Sequence, residues 1–131
     1  DALTAQNGVA ECEAAYKALK RPFDVTILGM GPDGHTASLF PHAEGLEHGL
    51  ATDDLVCAIN AIESDVTGKI TERMTLTLSA IADSKVVKLL ISGEEKLAVY
   101  KQAKEGGAVA DMPLRAVLNH PHINIEVYWA P

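Results

Sequence analysis

The chain has 131 residues, a length that fits one domain of ordinary size. With 47% hydrophobic and 22% charged residues it can bury a core, which excludes an intrinsically disordered segment. Eleven basic against eighteen acidic residues leave a formal charge of −7, which argues against nucleic acid or an anionic membrane as a partner. No apolar run approaches the ~20 residues of a membrane span, and no signal peptide opens the chain. Cys12 and Cys57 lie far apart in apolar surroundings, the setting of free thiols rather than of a disulfide framework. These features read as a soluble, cytoplasmic protein. The chain opens Asp-Ala-Leu without a methionine, so the reading includes a piece of something longer.

Over residues 7–20, Val9, Cys12, Tyr16 and Leu19 recur at spacings of three and four, one face of an amphipathic helix. Arg21-Pro22 ends it, because proline disfavours helical geometry in the residue before it. Residues 23–28 form a short apolar run that stops at Gly29, a buried strand. Residues 29–34 are a glycine-rich turn, 35–40 a short helix before Pro41, and 42–53 a surface loop. Residues 55–62 read as a second buried strand and 63–72 as a polar turn. Met74, Leu76 and Leu78 alternate with threonines as in a strand, with a helix over 77–83 as the competing pattern. Residues 85–92 give the clearest strand and 93–104 the clearest helix, closed by Gly106-Gly107. Residues 113–118 form a short helix opened by proline. Ile123, Ile125, Val127 and Trp129 alternate with polar neighbours as on a strand near a sheet edge. Strands alternating with helices predict an α/β fold: a three-layer sandwich with a mainly parallel sheet and helices on both faces. Such sheets bind ligands at the carboxyl ends of their strands, where the glycine turn lies.

Gly29, Gly31 and Gly34 meet the G-x-G-x-x-G spacing of a dinucleotide loop. Two features count against that reading. Asp33 puts an anion where a pyrophosphate would sit, and Pro41 breaks the following helix too early. The alternative takes Asp33, His35, Thr36 and Ser38 together. Glycines let the backbone turn sharply and approach a ligand, holding His35 at a helix start. There the helix dipole disfavours imidazolium and leaves a neutral ring able to accept a proton. Asp33 either orients that ring or caps the short helix, and His35 is either a base or a hydrogen-bonded structural residue.

The run from Phe23 through Gly29-Met30-Gly31-Pro32-Asp33-Gly34-His35-Thr36-Ala37-Ser38-Leu39-Phe40-Pro41 closely resembles the 6-phosphogluconolactonases. These share a superfamily with the glucosamine-6-phosphate deaminases and ribose-5-phosphate isomerases. The resemblance continues through Arg73-Met74-Thr75-Leu76-Thr77-Leu78, Ser92-Gly93-Glu94-Glu95-Lys96 and the strand around Trp129. It implies the C-terminal part of a single, larger lactonase domain, whose N-terminal strands and glycine- and serine-rich loop have no counterpart here. It also implies hydrolysis of 6-phospho-D-glucono-1,5-lactone in the pentose phosphate pathway, without metal or organic cofactor. His35 is then the catalytic base with Asp33 beside it, and Gly29, Gly31, Gly34, Thr36, Arg73 and Lys96 are the substrate-binding candidates. The deaminases share the Asp-Gly-His core but carry an acidic residue five positions after the histidine, where this chain has Phe40. The runners-up are thus a deaminase-like enzyme and an inactive sugar-phosphate-binding fragment.

Arg73 and Lys96 resemble the family's phosphate-side residues. Lys96 also falls in the first turn of a helix after a strand, where free N–H groups attract phosphate. The competing reading makes Ser92-x-x-Glu95 an ordinary capping box and Arg73 a solvated strand-end residue. His42, His48, His120 and His122 lack a ligand constellation with cysteine or carboxylate, so no metal is expected. The remaining expected partner is the other half of the chain's own domain. Without it, an exposed sheet edge and apolar surface predict poor stability or self-association.

Overall fold

The computed structural model describes residues 4–131. Its elements run α1 (Ala5–Lys17), β1 (Thr26–Leu28), α2 (Leu46–Ala51), β2 (Val56–Asn60), β3 (Glu72–Leu76), α3 (Leu78–Ala82), β4 (Val87–Ser92), α4 (Glu94–Lys104), α5 (Leu114–Leu118) and β5 (Ile125–Ala130). The fold is α/β, with a parallel sheet of order β1–β4–β5. β4 is central: Leu89 pairs with Leu28 on one side and with Val127 on the other. β2 and β3 do not join this sheet. They form an antiparallel pair of their own, in register from Val56↔Leu76 to Asn60↔Glu72.

The pleat sorts side chains to the two faces of the parallel sheet. Thr26, Leu28, Val87, Leu89 and Ile91 are buried, and the last four join one core with Leu114 and Val117 of α5 and Ala103 of α4. Ile27, Leu90 and Tyr128 alternate to the other face and are 64%, 50% and 46% exposed. Helices were expected on both faces; among the described residues they cover one. Tyr128 lies on the uncovered face with the Lys88 ammonium 5.4 Å from its ring centroid. Trp129 closes the strand end, its indole N–H donating to the Gly93 carbonyl at 2.9 Å.

Residues 42–53, expected as loop, contain α2. Glycines at 45 and 49 hide the helix in the sequence, but packing requires both to be small. A Cβ on Gly45 would stand 2.5 Å from the Ala58 carbonyl, and one on Gly49 3.0 Å from the Cys57 sulfur. Gly45 also adopts φ 94°, which glycine reaches at no steric cost.

The short helix expected over residues 35–40 is not formed. The His35 carbonyl accepts from the Gly31 N–H, the Thr36 hydroxyl donates to the Gly29 carbonyl, and Ala37 has φ 50°. Local bonds thus take the backbone groups that a helix needs, and a six-residue helix has too few turns to compete. The capping box at Ser92 is also absent: Gly93 is the N-cap of α4, with φ 86° and no side-chain cap. Residue 92 is spent instead on the sheet, paired with Ala130.

Candidate active site

Strand β1 ends at Leu28, and the chain turns over the carboxyl edge of the parallel sheet through residues 29–40. The turn is pinned from three sides. Gly34 donates to the Gly31 carbonyl and its own carbonyl accepts from Leu114 of α5, both at 3.0 Å. The Ser38 N–H donates to the Thr75 hydroxyl of β3 at 3.0 Å, and Thr36 reaches back to Gly29 at 2.8 Å. Leu39 and Phe40 sink into the core.

On this support Asp33 and His35 meet. The Asp33 carboxylate accepts from the His35 backbone N–H at 3.1 Å, and the same oxygen lies 2.5 Å from His35 Nδ1. That bond selects the tautomer with the proton on Nδ1, leaving Nε2 a free lone pair. Nε2 has no hydrogen-bond partner among the described residues and is not among the buried unpartnered atoms, so it reaches solvent. The side chains of His35 and Asp33 are only 20% and 24% exposed, which shields the pair on its other sides. Asp33 therefore orients the ring. The expected helix-dipole influence falls away with the helix.

The glycines divide. Gly31 is indispensable, since a Cβ there would collide with His35 Cε1 and Nδ1 and stand 2.8 Å from the Asp33 carboxylate. Gly34 combines φ 84° with contact to Met112, where a Cβ would be 2.8 Å from Cγ. Gly29 is exposed and has nothing within 4 Å of a Cβ position, so open space adjoins it. Thr36 is fully buried with its hydroxyl spent on Gly29, a loop-closing part.

Arg73, on β3, is brought to the same cluster. Its Nε and Nη2 donate to the Ile70 carbonyl and Nη2 also to that of Thr67, leaving Nη1 without a partner among the described residues. Its guanidinium stands 5.5 Å from the centroid of Phe40, whose ring stacks on His35 at 4.3 Å. Lys96 lies in the first turn of α4, beyond the carboxyl end of β4 and so on the same edge of the sheet. It makes no ion pair or side-chain hydrogen bond among the described residues, and no bond links it to the turn around His35.

Two residues went unread in the sequence. Phe40 was seen only as the absence of an acid; its aromatic character beside a histidine five residues away was the available signal. Arg115 is buried and, among the described residues, forms no salt bridge: one N–H donates to the Ala108 carbonyl at 2.8 Å and Nε has no partner. It ties residues 107–108 to α5.

An open groove of about 720 Å³ lies elsewhere, lined by residues of α1, α2, β2 and the start of β3. Glu44, Asp54 and Glu72 face it with only His48 as a potential cation, so its charge repels a phosphorylated ligand. Burial pushes the Cys57 thiol on this groove up, and the Asp54 carboxylate adds to the effect. It is a protonated, unactivated thiol at neutral pH.

The chain is thus an α/β protein with a parallel sheet and a hydrogen-bonded His–Asp pair on the turn that follows its first strand. Residues 1–129 match the family described as glucosamine-6-phosphate isomerases/6-phosphogluconolactonase. The chain is 40% identical over 131 residues to a 6-phosphogluconolactonase of Mesorhizobium japonicum, covering 96% of this chain and 51% of that protein. It superposes on the crystal structure of a 6-phosphogluconolactonase from Shewanella baltica with a TM-score of 0.89 at 41% identity, over 98% of this chain and 53% of that one. A monomeric glucosamine-6-phosphate deaminase shares the fold, with a TM-score of 0.62 at 22% identity. The chain belongs to the glucosamine-6-phosphate isomerase/6-phosphogluconolactonase family. It spans about half the length of the relatives it matches.

Proposed function

We propose that the protein hydrolyses 6-phospho-D-glucono-1,5-lactone to 6-phosphogluconate, in the pentose phosphate pathway of the cytoplasm. The observation that carries this reading is the Asp33–His35 contact of 2.5 Å with Nε2 left open at the sheet edge. His35 Nε2 takes a proton from water as the water oxygen bonds to the lactone carbonyl carbon. The C–O bond to the ring oxygen then breaks, and the imidazolium returns the proton to that oxygen. Asp33 holds the Nδ1 proton and stabilises the imidazolium between the two steps. Gly29 leaves room for the sugar to approach the backbone, while Gly31 makes room for the imidazole itself. Arg73 Nη1 and the Lys96 ammonium supply the local cations that a dianionic phosphate needs on a chain of charge −7. No metal or organic cofactor enters the mechanism. The partner in this reading is the other half of the family's domain, since the relatives are about twice as long.

Phe40 favours hydrolysis over deamination. The side chain stacked on His35 is a hydrocarbon that cannot pass a proton. The test is turnover of freshly made lactone by the intact protein. His35→Ala should lower kcat by about 10²–10⁴-fold. Asp33→Asn should lower it less, because the amide oxygen still accepts the Nδ1–H bond. Full activity in His35→Ala would sink the assignment, and tight sugar-phosphate binding without turnover in the wild type would leave a binding protein.

A further inference from the structure

We infer that Phe40 is the positioning residue of the His35 imidazole, a stacking platform that sets the ring plane while Asp33 holds one ring atom. The inference rests on the lactonase reading for its catalytic consequence, though the platform itself is a statement of geometry. The covalent bond at Cγ and the hydrogen bond at Nδ1 hold one edge of the imidazole, and torsion about Cα–Cβ and Cβ–Cγ can still tilt the ring plane. Removing this freedom takes contact with the ring face. Phe40 provides it: the centroids lie 4.3 Å apart with the planes 29° from parallel.

The platform is itself immobilised. Phe40 is 4% exposed within the main core, and it precedes Pro41, which restricts its backbone to extended geometry. The Arg73 guanidinium stands over the same ring at 5.5 Å and is held in turn by the Ile70 and Thr67 carbonyls. The ring plane is thus referred both to the core and to β3, the element that also holds Ser38 through Thr75. Gly31 completes the enclosure, its bare Cα lying against the imidazole edge. The imidazole is therefore bounded by a carboxylate, an aromatic face and a glycine, and the open direction is that of Nε2.

An aliphatic side chain of similar volume fills the core without defining a plane. A misplacement of about 1 Å costs on the order of 10²-fold in rate, so Phe40→Leu in the intact protein should lower kcat about 10- to 100-fold. KM should change less than kcat, because Arg73 loses the ring contact but keeps its bonds to the Ile70 and Thr67 carbonyls. Phe40→Tyr should restore kcat. Histidine-edited proton NMR gives an activity-independent readout: His35 Hδ2 and Hε1 should be displaced upfield by the ring current in wild type and Phe40→Tyr, and return in Phe40→Leu or Phe40→Met. A folded Phe40→Leu protein with wild-type kcat, or wild-type His35 resonances without the ring-current displacement, would overturn the proposal. If the wild type carries the displacement but does not hydrolyse the lactone, the lactonase reading fails and the platform stands. The wild-type spectrum decides the geometry even where Phe40→Leu does not fold.

Discussion

Gly31 and Gly29 lie two residues apart in the same turn, yet they answer to different constraints. Gly31 lacks a side chain because His35 and Asp33 occupy the space a Cβ would take. Gly31→Ala must push the imidazole off its hydrogen bond or open the turn, which the bonds from Gly34 and His35 resist. Its expected effect is a loss of activity comparable to His35→Ala, about 10²-fold or more, with far-UV circular dichroism unchanged. Gly29→Ala meets open space and should leave thermal stability within the ±0.5 kcal/mol or so of ordinary surface substitutions. Any loss in Gly29→Ala should therefore appear in KM, as expected of backbone that a ligand approaches. Equal behaviour of the two variants would contradict this division.

Among the elements, α1 is held in an unusual way. No residue of it is buried, so apolar packing alone does not account for its place against β2 and β3. The carboxylate of Glu13, 12% exposed, accepts from the Leu55 N–H at 2.8 Å and the Val56 N–H at 2.9 Å. The Ala5 N–H donates to Glu72 of β3 at the other end of the helix. Glu13→Ala would leave two strand-end donors without their partner, a cost of about 1–3 kcal/mol. The expected readout is a lower midpoint in urea with an unchanged slope, together with faster amide exchange in α1. An unchanged midpoint would mean that water replaces the carboxylate at no cost.

For the molecule as a whole, the uncovered sheet face has the largest physical consequence. Ile27, Leu90 and Tyr128 are exposed on this face of β1, β4 and β5, Leu90 paired with Tyr128, and Val25 is exposed beside β1. Among the described residues β1 has no strand neighbour on one side, so its backbone groups there are free to pair. Expressed alone, these 131 residues should self-associate at micromolar concentration. Sedimentation velocity should show the association, and Leu90→Lys with Tyr128→Lys should reduce it. A monomer that melts in one cooperative transition would contradict the expectation.

Much was legible in the sequence because it rests on short-range chemistry. The strand at residues 87–92 announces itself by an apolar run, α4 by its spacing and glycine close, and β5 by alternation. Asp33 and His35 meet across two residues, so their partnership needs nothing beyond the local turn. Other features depend on residues far apart in the chain. The contact of Arg73 with Phe40, the seat of α2 on Ala58 and Cys57, and the carboxylate of Glu13 on β2 all arise from long-range packing. No periodicity or spacing encodes such meetings. The turn at residues 35–40 shows the same competition from the other direction. Local propensity alone favours a helix there, but partners supplied by Gly29, Gly31 and Thr75 take its hydrogen bonds. By itself, the sequence determined the strands of the parallel sheet, the helices α1, α4 and α5, and the chemical pair at the sheet edge. Only the tertiary structure decided which way that pair faces, because orientation is set by the groups packed against the ring.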